Sequence, residues 1–190
     1  LFMIIFGTKG RSIKMDSDGW KNFCNKISEI GKYLEDQGMP LAYHHHMGTV
    51  IETQDDTERL LESTSEHVKL ILDTGHMLFA NGNSLEIYDK FKDRIIHIHC
   101  KDMRKNILDK SLDEDLSFRQ AFLEGAFTVP GDGYIDYKPL FKLLTKNDYS
   151  GWLVVEAEQD PSKANPLEYA KIGFNYLTKA CEEANLKIIK

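Results

Sequence analysis

The chain has 190 residues, 42% of them hydrophobic and 11% aromatic, which is enough apolar material for one sizeable core and predicts a single soluble globular domain over 1–190. A net charge of −6 with both signs well mixed excludes the basic footprint that a phosphate backbone selects, so nucleic acid is not an expected partner. Cys24, Cys100 and Cys181 are widely spaced with no CxxC pair, which excludes a zinc-thiolate site and suits reduced thiols in a cytoplasm.

The first apolar run, LFMIIF at 1–6, is too short to span a bilayer and lacks a signal peptide's charged start and cleavage site, so no membrane partner is expected. It reads as a strand running into Gly7–Gly10. A helix follows, with Asp16 or Asp18 as cap and Trp20, Phe23, Ile27, Ile30 and Leu34 at helical spacing, stopped by Gly38 and Pro40. LAYHHH at 41–46 is the next strand, and Thr53 with Asp56 opens a helix with a capping-box pattern. VKLILD at 68–73 is a strand, SLEIYDKF a short helix, and IIHIHC at 95–100 a strand followed by a long polar segment. Turn chemistry in VPGDGYIDYKPL leads into a helix from Tyr137, WLVVEAE is the last strand, and the last helix carries Pro166 near its first turn. Strand and helix alternate throughout, which means parallel βα units, wound open or closed into a barrel.

Neighbouring side chains in a strand point to opposite faces. Ile96, Ile98 and Cys100 therefore lie opposite Ile95, His97 and His99; Leu153, Val155 and Ala157 lie opposite Trp152, Val154, Glu156 and Glu158. Val68, Leu70 and Leu72 oppose Lys69, Ile71 and Asp73, and Leu41, Tyr43 and His45 oppose Ala42, His44 and His46. Each strand thus has one apolar face for a covering helix and a second face whose ionisable residues gather at its C-terminal end. Parallel α/β folds place their sites at that rim. Carboxylates and imidazoles converging there need a compensating partner. A divalent cation supplies one, and histidine with carboxylate ligands suits manganese, cobalt, zinc or iron. Such a Lewis acid points to proton abstraction next to a carbonyl.

Singly, each motif has a plain structural reading: HHH as a hydrogen-bonded cluster, DTGH as a turn with Asp73 as cap and Gly75 for backbone freedom, HIHCKD as a satisfied strand, VVEAEQD as a solvated end. Four strand ends with ligand-type residues on matching parity favour a metal site over coincidence.

Together YHHHMGT, LILDTGH, HIHCKD, FTVPGDGYIDY and WLVVEAEQDPSKANPLEYA resemble the inosose (2-keto-myo-inositol) dehydratases, within the xylose-isomerase-like TIM barrels, from about Gly38 to the C-terminus. The resemblance implies a hydro-lyase of inositol catabolism that dehydrates inosose to a trihydroxycyclohexanedione, using manganese or cobalt and associated with glutathione. It carries metal ligation onto Asp73, His99 and Glu156, with His46 the first choice as fourth ligand and Glu52 the other. His76 falls on a substrate-contacting position, and His44, Lys101 and Arg104 lie where substrate hydroxyls are held. Glu52, His76, Lys101 and Glu158 form the implied catalytic set, with Glu52, Glu158 and His76 sharing the proton transfers. The alternatives are a sugar or keto-sugar isomerase or epimerase on the same ion, and a non-catalytic metal-binding partial barrel.

A full (β/α)₈ barrel takes about 250 residues. Five strands here correspond to the fourth to eighth, so the expectation is an N-terminally truncated barrel with exposed strand edges and inner faces. It pairs with another copy as a homo-oligomer or represents a truncated gene product.

Overall fold

The computed structural model describes residues 14–189, so the strand expected over 1–6 and the turn after it lie outside the described residues. Helix α1 (Ser17–Asp36) begins where Asp16 Oδ1 accepts from the Gly19 N–H at 2.7 Å, and Asp18 sits in the first turn, where the helix dipole favours a carboxylate. Its buried face is Trp20, Cys24 and Gly31. Ile30, expected on that face, is instead 51% exposed. The helix leans on Gly31, where a Cβ would come 2.9 Å from the His67 carbonyl oxygen, and this close approach rotates Ile30 outward.

In chain order the strands are β1 (Leu41–His44), β2 (Val68–Asp73), β3 (Ile95–Cys100), β4 (Asp102–Met103), β5 (Phe127–Thr128) and β6 (Trp152–Val155). The first three and β6 form a parallel sheet in the order β1-β2-β3-β6, while β4 and β5 pair antiparallel beside it. The connecting helices are α2 (Gln54–Ser63), α3 (Thr74–Phe79), α4 (Ser84–Phe91), α5 (Lys105–Asp113), α6 (Phe118–Glu124), α7 (Lys138–Lys146) and α8 (Pro166–Glu183). Thr53 caps α2 as expected, with both capping-box bonds formed to Asp56. Asn165 caps α8, and Pro166 stands at its first position.

The main core lies between the sheet and its covering helices. Leu70, Leu72, Ile98 and Cys100 meet Ile87, Tyr88, Phe141 and Leu177 there. The alternation expected in β3 fails at its start: the register jumps from Leu70↔Ile95 to Ile71↔His97, so Ile96 is an extra residue. Ile95 joins the core with Ile98 in place of Ile96. In LAYHHH the strand stops at His44, two residues early, and beyond it His45 and His46 are both buried.

The long polar segment after β3 carries short elements of its own. It forms β4, α5, α6 and β5 around a second small core of Met47, Phe79, Met103, Leu108, Ala121 and Phe127. A capping box from Ser117 and Gln120 starts α6, and Gly125 ends it at φ +85. The apolar residues are sparse, but they fall on the inner faces of these short elements.

Candidate functional site

All four parallel strands end at the same rim. The register sets Asp73 beside His99 and His99 beside Val154, and Glu156 follows just past β6, its N–H directed at the Cys100 carbonyl at 3.4 Å. Asp73 is tightly oriented. Its Oδ1 caps α3 by accepting from the His76 N–H at 2.9 Å, and its own N–H donates to His45 Nε2 at 3.1 Å. The middle histidine of HHH is therefore structural, and it steers a carboxylate.

Around Asp73 Oδ2 gather His44 Nε2 at 3.2 Å and His99 Nδ1 at 3.5 Å, with Glu156 Oε2 3.1 Å from His99 Nδ1. Two ligands on one ion, each bonded at about 2.0–2.2 Å, stand roughly 3 to 3.5 Å apart. His99 Nδ1 and Glu156 Oε2 are buried and make no aligned hydrogen bond to each other, and the charged group beside Glu156 Oε2 is the Lys101 ammonium, 3.0 Å away. Two imidazoles and two carboxylates converging at these spacings make a donor set that fits a divalent cation, which would take the place of the proton that His99 holds between Asp73 and Glu156. Burial opposes charge on the His99 ring, but Asp73 and Glu156 outweigh it and lift its pKa to about 9. Burial likewise disfavours the Asp73 carboxylate, and Lys101 and His76 outweigh it, holding that group well below the usual carboxylate range.

A second group lies alongside: His46 Nε2 is 3.4 Å and His76 Nε2 3.2 Å from Glu158. The ring centroids of His46 and His76 are 3.6 Å apart. The structure therefore sets His44 beside Asp73 and His99, and sets His46 with His76 and Glu158. Consecutive residues past a strand end do not keep the alternation that placed His46 with Asp73. Between the groups sits Lys101, without exposed surface, its Nζ 2.7 Å from Glu158 Oε2, 2.8 Å from His76 Nε2, 3.0 Å from Glu156 Oε2 and 3.3 Å from Asp73 Oδ2. Gly75 makes room for it, since a Cβ there would fall 2.7 to 3.0 Å from the Lys101 stem. The glycine of DTGH serves this close passage, not the backbone freedom expected of it.

Glu52 stands in neither group; it is buried, accepts from the Gly48 N–H at 3.0 Å, and burial raises its pKa. Arg104 Nη1 donates to the Gly125 carbonyl at 2.8 Å and Nη2 to Asp132 at 2.6 Å, so its guanidinium ties the β4–β5 ribbon together. Two roof residues escaped the sequence reading. Phe118 lies 5.0 Å from His46 and Phe127 5.3 Å from His76, centroid to centroid. Aromatic residues within a polar segment were the available signal. Asp102 was passed over too: its Oδ1 accepts from the Met103 and Ile135 N–H groups, and Oδ2 is buried without a partner.

A family profile described as "Xylose isomerase-like TIM barrel" matches residues 3–180. An inosose dehydratase of Clostridium beijerinckii is 45% identical over 163 residues, 85% of this chain and 55% of the relative. The rhizopine catabolism protein MocC of Rhizobium meliloti is 41% identical over 175 residues, 92% of this chain and 54% of MocC. The chain thus spans about half the length of the curated relatives it matches. The solved structure of the IOLI protein with a bound zinc atom superposes at a TM-score of 0.58 and 20% identity, covering 95% of this chain and 59% of that one. The parallel βα order, the shared rim and the profile match agree, and the chain belongs to the xylose isomerase-like TIM barrel family.

Proposed function

We propose that this chain carries the metal-binding rim of an inosose dehydratase, which removes water from 2-keto-myo-inositol to give a trihydroxycyclohexane-1,2-dione. The observation that carries the reading is the convergence of His44, His99 and Glu156 around the Asp73 carboxylate, in a chain 45% identical to an inosose dehydratase. Asp73, His99 and Glu156 hold the ion, with His44 as the fourth donor instead of His46 or Glu52. A divalent cation bound there supplies a Lewis acid next to the ketone. Manganese or cobalt is the ion we expect from a nitrogen and oxygen donor set, and the zinc of the IOLI protein makes zinc the comparison ion.

The chain's own residues handle the protons. Elimination needs a base at the carbon next to the ketone and an acid at the departing hydroxyl. Glu158 is partly open to the rim and ionised: burial opposes its charge, but the His46 and His76 rings and the Lys101 ammonium outweigh it and hold its pKa far below the ordinary range, which leaves it available as a base but a weak one. Glu52, with its carboxyl pKa raised by burial, is the candidate for the acid, whereas burial lowers the His76 pKa to about 3 and keeps that ring neutral, able to accept a proton and not to supply one. Phe118 and Phe127 cover His76 and keep water from it. Arg104 acts by holding the ribbon that carries this roof. The three buried free thiols suit a reducing compartment such as the cytoplasm.

The test is dehydration of 2-keto-myo-inositol, followed by the dione's absorbance after chelation and add-back of manganese, cobalt or zinc, with and without glutathione. Metal-dependent turnover that disappears in Asp73→Asn is the expected result. An epimerised product would favour an isomerase or epimerase on the same ion. Metal binding without turnover would favour a non-catalytic rim.

A further inference from the structure

The His46, His76 and Glu158 group has the spacing of a second metal site, yet a side chain of the protein already reaches into it. Lys101 Nζ is 2.8 Å from His76 Nε2 and 2.7 Å from Glu158 Oε2, two of the three donors. The His46 ring donates from Nδ1 to the Met47 carbonyl at 2.7 Å, which aims its Nε2 into the same space, 3.4 Å from Glu158 Oε1.

The lysine is fixed there by construction. Its backbone carbonyl accepts from Thr74 Oγ1 at 2.7 Å and Tyr137 Oη at 3.0 Å, Gly75 clears the path of its stem, and the Phe127 ring centroid lies 5.4 Å from its Nζ. Charge balance favours the same arrangement. Asp73, Glu156 and Glu158 bring three negative charges, which one divalent ion and one ammonium neutralise. Two divalent ions beside that ammonium would leave a buried excess of positive charge.

We propose that Lys101 is a resident cation occupying the His46, His76 and Glu158 group, so that the rim takes one divalent ion and not two. This makes Lys101 a positioning residue that holds Glu158 and His76 in place by standing where a second ion would go. The inference rests on the proposed ion at Asp73, His99 and Glu156.

The experiment is zinc stoichiometry by equilibrium dialysis with zinc ions alone, on the full chain and on Lys101→Met, with circular dichroism melts for folding. One equivalent in the wild type and two in Lys101→Met is the expected result, a gain that a merely structural lysine does not produce. Two equivalents in the wild type, or one in both proteins, would overturn the role of Lys101 while leaving the metal rim standing. No ion in the wild type and one in Lys101→Met would keep the lysine's role and remove the ion from Asp73 and His99. No ion in either would overturn both. Should Lys101→Met not fold, His46→Gln and Glu158→Gln decide: one equivalent bound with unchanged affinity in both supports the proposal, and any other result overturns it.

Discussion

On the side of the sheet covered by α4, α7 and α8, Leu70, Leu72, Ile98 and Cys100 have no exposed surface. On the other side of the same strands, Ile71 and His97 are only partly covered and Trp152 is 71% exposed. The first side is closed by apolar contact, which is non-directional and sums with area. The second ends in charges that need specific partners at specific distances. Stability therefore resides mainly on the helix side, and the rim is a set of groups positioned by that scaffold.

The sharpest way to break this comparison is at Phe141, which has no exposed surface and packs in the helix-side core. Phe141→Ala should lower unfolding stability by about 3–5 kcal/mol in urea titration. A loss below about 1 kcal/mol would mean that the helix side does not carry the fold.

Asp102 tests the opposite rule, that a charge near the rim is held at a cost. Burial pushes its pKa up from 3.8 to about 6, against the pull of the Ile135 and Met103 N–H groups. Because the folded chain binds this proton more tightly, the residue's contribution is fully present below pH 3.8 and is lost as pH rises through about 6. Asp102→Asn removes that titration. Its stability relative to the wild type should rise between pH 4 and 7 by on the order of 2 kcal/mol. Parallel profiles for the two proteins over that window would show that Asp102 stays ionised.

At Thr53, away from either face, the expected effect is smaller. Thr53→Ala removes both bonds of the α2 capping box and should cost about 1 kcal/mol in the same titration. An effect as large as that of Phe141→Ala would make α2 part of the scaffold.

How legible these features were in the sequence depended on the range of the interaction that fixed them. A cap at Asp16 or Asp18, capping by Thr53 and the alternation in VKLILD are local and were readable, and the structure selects Asp16. The converging pair Asp73 and His99 followed from strand parity, because the sheet register keeps them level. The exchange of Ile96 for Ile95 was not readable, since a bulge is decided by how two strands meet. Neither was the choice of His44 over His46 beside Asp73, which depends on where β1 stops. The ribbon and roof after β3 were hidden because short elements carry too few apolar residues to show a period.

The smallest effect is expected at Trp152, and it sharpens the comparison most finely. Trp152 and Leu153 are neighbours in β6, one pointing to each side of the sheet: Leu153 packs against the helix-side core, and Trp152 sits level with His97 on the open side. Trp152→Ala should change stability by no more than about 0.5 kcal/mol, as for most exposed substitutions, whereas Leu153→Ala should lose about 2 kcal/mol or more. The two titrations are to be run across a hundred-fold range of chain concentration. If Trp152→Ala proves as costly as Leu153→Ala, and its cost grows with concentration, the inner face is being covered by a second copy. The asymmetry between the two sides would then belong to the isolated chain and not to its associated state.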